Sequence, residues 1–358
     1  MKFFQVLTLI AHLTVGVQSH NPYRRAQESN DLSVSLAQVP GKPSEVKATI
    51  TNNGDSDLSL LKIGTILDER PVKKLTVTDE NGDDVPFMGI SLSIYYDGLK
   101  TKDYEHLAAG SSISRTVDLS VAHDLKPGTY SVFVDGNLPA VSGEDKKSTS
   151  IKLRSSPISV KVSKASAAKA TLSKRAIIES EGCEADKLEA NQNAVKNCVS
   201  LAKAAAADAA DPQSARFVEY FKANDTESRN HVSGRLLAVA EECADSKSEN
   251  TRVFCKDDAG YCESAGPLIA YTSWVNGYIV MCPLFYTWQG PLPTQCHKQD
   301  HATTMIHEMT HARAVYEQEV STQDYAYGYE NATALDPLSC LYNADSYSLY
   351  ASAVYLDC

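Results

Sequence analysis

All nine cysteines of this 358-residue chain lie between Cys183 and Cys358, and the first 182 residues contain none. One polypeptide must therefore build two kinds of fold, the second braced by covalent links and the first held by packing alone. The boundary carries another mark. A low-complexity stretch rich in Ala, Ser and Lys runs from Lys161 to Lys174 and ends in the dibasic pair Lys174-Arg175. Such a stretch stays open to proteases. Cleavage after Arg175 would leave a mature chain beginning at Ala176. Charge divides at the same place: residues 1–175 hold 22 Lys and Arg against 19 Asp and Glu, and residues 176–358 hold 12 against 26. An acidic surface attracts basic partners and repels nucleic acid and anionic membranes. It also gives the positive first part an electrostatic reason to stay docked, although a plain solubility role accounts for the charge equally well.

The amino terminus sets the compartment. Lys2 precedes an apolar run from Phe3 to Val17, followed by the small-residue pattern Val17-Gln18-Ser19. This reads as a secretory leader over residues 1–19, cut near Ser19, and places the protein outside the cell. The run is short for a bilayer span and no later segment approaches 18 apolar residues, so no membrane anchor is expected.

Residues 20–175 alternate as a β protein does. Leu32–Leu36, Val46–Ile50, Leu58–Ile63, Val72–Val77, Ile90–Tyr96, Ile113–Leu119, Tyr130–Val134 and Ile151–Val162 are short runs rich in β-branched residues. Turn signals separate them, among them Asn52-Asn53-Gly54, Asn81-Gly82-Asp83, Asp97-Gly98, Lys126-Pro127-Gly128 and Asp135-Gly136. The spacing suits a small Ig-like β-sandwich without a catalytic cluster, serving the second part as a folding aid or inhibitor. Residues 176–358 open helically. Helices are expected over Asp186–Ala210, Gln213–Ala223 and Arg229–Ala244, the last burying Val232, Leu236, Leu237, Val239 and Ala240. Arg252-Val-Phe, Leu268-Ile-Ala-Tyr and Tyr278-Ile-Val-Met read as a small sheet, with Tyr278–Met281 the candidate edge for an extended substrate. Leu338–Val354 reads as a closing helix, its Tyr342, Tyr347, Tyr350 and Tyr355 assigned to the core. The fold class is thus α+β, a mainly helical domain with a small sheet preceded by a β-sandwich. Asn224-Asp-Thr226 and Asn331-Ala-Thr333 are N-glycan acceptor patterns in expected loops.

The chemistry concentrates at His307-Glu308-Met309-Thr310-His311. On a helix, positions i and i+4 share a face, so His307 and His311 can aim at one metal ion while Glu308 reaches a water beside it. Ala302, Met305, Ile306, Met309, Ala312 and Val315 supply an apolar stripe that would bury the helix. A catalytic zinc takes three protein ligands and leaves one position for water. The pattern H-E-x-x-H-x-x-G-x-x-H fails here, because Ala314 and Glu317 occupy its Gly and last His positions. Glu330 and Asp324, further downstream, are both open as the third ligand.

Thr322-Gln-Asp324-Tyr-Ala-Tyr327-Gly328, following His307-Glu308-x-x-His311, resembles the aspzincin signature of the deuterolysins, secreted fungal metalloendopeptidases. The resemblance extends over the whole chain: a leader, a long cysteine-free pro-region ending in Lys-Arg, and a mature part finishing on cysteine. It implies a zincin-like catalytic domain holding one zinc through His307, His311 and Asp324, with Glu308 as general base and Tyr327 as the hydroxyl on the oxyanion. Asp345 resembles a further family aspartate that orients a ligand histidine. The family's framework would pair Cys183 with Cys255, Cys262 with Cys282 and Cys296 with Cys358, leaving Cys198, Cys243 and Cys340, of which Cys198 and Cys243 can pair between helices. Ser321 stands where many members carry Gly. None of the cysteines forms C-x-x-C, which argues against redox or cysteine-ligated zinc roles.

The expected product is a secreted, monomeric zinc endopeptidase. Deuterolysins favour basic proteins such as histones and protamines, in line with the acidic second part, and the other partner is its own propeptide. Two alternatives stand beside it: a lysine-selective peptidase of the same family, with Asp345 in the lysine pocket, and a non-catalytic secreted binding protein with a structural zinc. Glu308 and the dibasic pair argue against the last, since a structural site needs no carboxylate beside its ligands and a binding module needs no cleavable linker.

Overall fold

The computed structural model of the chain describes residues 32–142, 147–163 and 178–358, apart from residues 246, 247, 249, 265, 289, 318 and 319. The leader, Lys174-Arg175 and Ala176 lie outside the described residues. Among the described residues no helix is long and apolar enough to cross a membrane. The architecture is mixed α+β.

In the first part the strands are β1 (Leu32–Gln38), β2 (Glu45–Asn52), β3 (Leu58–Leu61), β4 (Thr76–Thr78), β5 (Ile90–Ile94), β6 (Tyr104–Leu107), β7 (Ser112–Asp118), β8 (Gly128–Phe133), β9 (Asp135–Ser142), β10 (Lys147–Arg154) and β11 (Ile158–Val162). Three antiparallel sheets, ordered β1-β2-β7, β10-β9-β3-β6 and β11-β8-β4, enclose a core that includes Val46, Ile50, Leu60, Val132, Leu138 and Val160. Several expected boundaries shift for local reasons. The run at Val72–Val77 shortens to β4 because the chain turns back on Arg70, whose carbonyl accepts from Val72 N and from Lys74 Nζ. The run Ile151–Val162 splits around Pro157, which has no N–H to give a ladder. Asp135-Gly136 lies in β9 rather than in a turn: Asp135 pairs with Arg154, and Val134 exchanges hydrogen bonds with Ser155.

In the second part the elements are α1 (Ala185–Ala210), α2 (Ala215–Phe221), α3 (Thr226–Ala244), β12 (Arg252–Phe254), α4 (Tyr261–Ser264), β13 (Leu268–Ser273), β14 (Tyr278–Met281), α5 (Pro283–Trp288), α6 (His301–His311), α7 (Tyr329–Ala332), α8 (Pro337–Leu341) and α9 (Ala344–Leu356). Asp211-Pro212 ends α1, the Ser214 hydroxyl accepts from Phe217 N to cap α2, and Asp225 accepts from Ser228 N to cap α3. Small residues along α1, including Ala194, Ala202, Ala205 and Ala209, let it sit close against its neighbours in the core. Leu237 is not part of that core; it is 46% exposed. The expected closing helix is broken at Tyr342-Asn343 into α8 and α9, and Tyr355 is exposed at 47% whereas Tyr347 and Tyr350 are fully buried.

The structure joins Cys183 to Cys255, Cys198 to Cys243, Cys262 to Cys282 and Cys296 to Cys358, and leaves Cys340 free and buried. Burial pushes the Cys340 thiol up to about 12, so it stays an inert thiol. The Cys198–Cys243 bond ties α1 to α3 across 45 residues. Its replacement by paired serines is expected to lower unfolding free energy by about 4 kcal/mol through loop-closure entropy, read as a lower denaturant midpoint.

One strand crosses the boundary between the parts. The remaining sheet runs β12-β14-β13-β5, so its last strand comes from the first part. Tyr278–Met281 is therefore an interior strand, parallel to β12 and antiparallel to β13, and Leu268–Ser273 is the outermost strand that the second part itself contributes on the β5 side. The turn between β13 and β14 demands Gly277, at φ 63°, where a Cβ would fall 1.8 Å from the Asn250 carbonyl oxygen. The two parts share an apolar cluster in which Ile63, Ile90, Leu92 and Ile94 meet Leu268, Tyr271, Val280 and Tyr327. The ion pair Lys298–Asp97 crosses the boundary at 3.7 Å with the cation on the second part, and Arg70 Nη1 of the first part donates to the Tyr261 carbonyl at 3.3 Å.

Candidate active site

Helix α6 is buried along its whole length. Asp300 starts it, accepting from Ala302 N at 2.8 Å and Thr303 N at 3.2 Å, while Thr303 Oγ1 accepts from Asp300 N at 2.9 Å. One turn apart near its carboxyl end, His307 and His311 bring their rings to 4.9 Å. Each ring is oriented from behind. His307 Nδ1 donates to Asp345 Oδ1 at 2.9 Å, and His311 Nδ1 donates to the Thr322 carbonyl at 3.0 Å. Both partners are acceptors, which puts the proton on Nδ1 and leaves each Nε2 lone pair facing inward.

Asp324 completes the group. Its loop is set by the break between α8 and α9: Gln323 N donates to Tyr342 O at 2.7 Å, Ala344 N to Gln323 O at 2.9 Å, and Ala326 N to Asn343 Oδ1 at 3.1 Å. Thr310, inside the motif, shares a 2.7 Å hydroxyl contact with Thr322 and fixes the other end. Ser321 does not adopt a positive φ, so the position needs no glycine. Glu330, the other candidate third ligand, sits exposed on α7, away from the group.

The three inward atoms form an equilateral triangle. His307 Nε2 to His311 Nε2, His307 Nε2 to Asp324 Oδ1 and His311 Nε2 to Asp324 Oδ1 are each 3.2 Å. Ligand atoms about 2.0 Å from a tetrahedral zinc stand about 3.3 Å apart, so the donor set fits that ion. Asp324 Oδ1 is buried and takes no hydrogen bond, as an oxygen reserved for a cation would be. The electrostatics agree. Burial resists charge on His307, yet the neighbouring carboxylates of Asp324 and Asp345 prevail and raise its pKa well above the ordinary value. Asp324, despite burial, is held below the usual carboxylate range by His311 and His307. The pocket favours positive charge where the three atoms meet.

Glu308 lies beside the triangle. Its Oε2 accepts from Thr272 Oγ1 of β13 at 2.6 Å, and its Oε1 is buried without a hydrogen bond. Burial raises its pKa, although His307 and His311 oppose the shift. Tyr327 lies over His307, ring centroids 6.1 Å apart, and its hydroxyl donates to the Leu92 carbonyl. Burial and the nearby Asp324 raise the phenol well above its ordinary pKa, so it remains a donor. Asp345, 2% exposed, also accepts from Gln299 Nε2 at 2.5 Å and from Gly328 N at 2.7 Å. Gly328 supplies the φ of 74° with which the chain enters α7. Thr272 and Gln299 escape sequence reading because hydroxyl and amide side chains have no characteristic spacing, and their partners Glu308 and Asp345 lie 36 and 46 residues away.

A buried helix presenting two histidines to a carboxylate, with a glutamate oxygen unpaired beside them, defines a metallopeptidase site. Comparison with known proteins places it further: the chain belongs to the deuterolysin metalloprotease (M35) family, whose description matches residues 1–358. It is 37% identical to a neutral protease 2 homolog of Sclerotinia sclerotiorum over 98% of this chain and all of that one. It is 38% identical to one of Botryotinia fuckeliana with full coverage of both chains, and 40% identical to one of Phaeosphaeria nodorum over 91% of this chain and 92% of that one. The protein is accordingly a metalloendopeptidase, and its family implies zinc.

Proposed function

We propose that the chain is made as a secreted precursor, with a leader at 1–19, an Ig-like β-sandwich pro-region at 20–175 removed after Arg175, and a mature enzyme at 176–358. In this reading a single chain holds one zinc through His307, His311 and Asp324 and cuts basic proteins such as histones and protamines. The observation that carries the catalytic assignment is the 3.2 Å triangle of ligand atoms with the unpaired Glu308 oxygen beside it.

Bound zinc would polarise the scissile carbonyl and acidify a water. Glu308 Oε1 takes the proton of the attacking water, Thr272 holding the other oxygen so that the carboxylate does not rotate. A raised pKa suits this work, since the carboxyl must later give the proton to the departing amine. The Tyr327 hydroxyl donates to the oxygen on which negative charge develops. Asp345 fixes the His307 ring, and Asp345→Asn is expected to weaken zinc binding about 10–100-fold, measured by competition with a chelator; unchanged affinity contradicts that role. With both oxygens engaged by His307, Gln299 and Gly328, Asp345 does not serve a lysine pocket in this arrangement.

Substrate preference follows from the surplus of 26 acidic over 12 basic residues in the second part. Histone hydrolysis by the mature enzyme is expected to exceed casein hydrolysis at low salt and to lose that advantage toward 0.5 M salt, where the Debye length is only about 4–5 Å. An advantage indifferent to salt contradicts the electrostatic origin. Asn224 and Asn331 are both exposed and would carry the glycans; Asn331 lies in α7 rather than a loop.

A further inference from the structure

We infer that strand β5, Ile90–Ile94, keeps the precursor silent by occupying the place of an extended substrate, an inference that rests on the catalytic reading above. Three observations support it. The first is the edge it covers. β5 pairs antiparallel with Leu268–Ser273, the strand whose Thr272 anchors Glu308, in the register Ser91 with Thr272 and Leu92 with Tyr271. A peptide that adds to this edge needs the same backbone groups.

The second is the carbonyl. Trp274 N donates to Gly89 O, which sets the ladder so that Leu92 sits in a non-hydrogen-bonded pair and its C=O points away from β13. That free carbonyl accepts the Tyr327 hydroxyl, the donor a substrate carbonyl requires. The strand thus takes both features that a substrate would use, and Tyr96 adds a lid by packing on the Tyr327 ring at 5.1 Å.

The third is side-chain placement. Leu92 and Ile94 enter the apolar cluster with Leu268, Tyr271 and Tyr327, while Ser91 and Ser93 face α6, the side marked by Thr272 and Glu308. Ser93 Oγ is buried there without a hydrogen bond, a small residue where bulk would press toward the site. Trp274, 5% exposed, donates from Nε1 to Ser91 Oγ at 2.8 Å and so reports on this docking, whereas Trp288, packed on Tyr95 at 4.2 Å, is already exposed.

The test keeps the full chain uncut with Lys174→Ala and Arg175→Ala, loads it with zinc, and follows casein hydrolysis together with tryptophan emission. Relative to the wild-type chain cut after Arg175, this uncut variant is expected to be at least tenfold less active. Adding Ser91→Pro removes the N–H that faces Thr272. It is expected to raise activity at least tenfold and to shift emission to the red as Trp274 meets water. Leu92→Ala, which spares the backbone, serves where the proline variant is not recovered folded. An uncut variant as active as the cut chain overturns the inference, as does a red shift with no gain in activity. Should the cut wild-type chain itself fail to hydrolyse casein, the catalytic reading has failed instead. Emission then decides the docking alone, and emission unchanged by both Ser91→Pro and Leu92→Ala overturns it.

Discussion

Glu308→Gln is expected to lower kcat about 10³–10⁴-fold while one zinc stays bound per chain. The glutamine side chain keeps the shape of the glutamate, and its carbonyl can accept from Thr272 Oγ1 as Oε2 does now. What it lacks is the ability to take a proton from water and return it to an amine. The loss corresponds to about 4–5.5 kcal/mol of transition-state stabilisation, without an effect on the metal, because the triangle of His307, His311 and Asp324 atoms does not include Glu308. Zinc content by atomic absorption and kcat on casein are read on the same sample. A fall of less than tenfold contradicts the assignment of Glu308 as the base.

Asp324→Ala attacks the other half of the machinery. It leaves two histidine nitrogens 3.2 Å apart without the third ligand atom and opens a coordination position to water. Zinc is expected to be lost on dialysis, with activity down at least about 10³-fold, since removing an orienting partner alone costs about 10–100-fold. Glu330→Ala is the matched control: Glu330 is exposed on α7, and its loss should leave zinc and activity in place. If Glu330→Ala sheds the metal and Asp324→Ala keeps it, the third ligand has been misassigned.

The sequence makes some of this arrangement legible and hides the rest, for reasons that can be named. The motif helix is readable because i, i+4 geometry is local, and the burial of α6 follows from its apolar spacing. Asp324 is different. Spacing leaves it level with Glu330, and only the resemblance to deuterolysins separates them. What holds it in place is a backbone exchange among Gln323, Tyr342 and Ala344 that exists only once the closing helix breaks at Asn343. Continuous apolar periodicity from Leu338 to Val354 conceals that break. Strand β5 shows the same limit in another form. Alternation identifies Ile90–Ile94 as a strand, but period two is the same whichever sheet a strand joins. Its pairing with β13 depends on the cluster around Leu92, Leu268 and Tyr271, whose members are some 180 residues apart.

The most direct measurement of the central claim is casein hydrolysis by the zinc-loaded chain cut after Arg175, before chelation, after chelation and after zinc is returned. Activity that disappears with the metal, returns with one zinc per chain and is absent in Glu308→Gln is the predicted result. Hydrolysis that survives complete zinc removal, or none from a correctly cut and loaded chain, would contradict it.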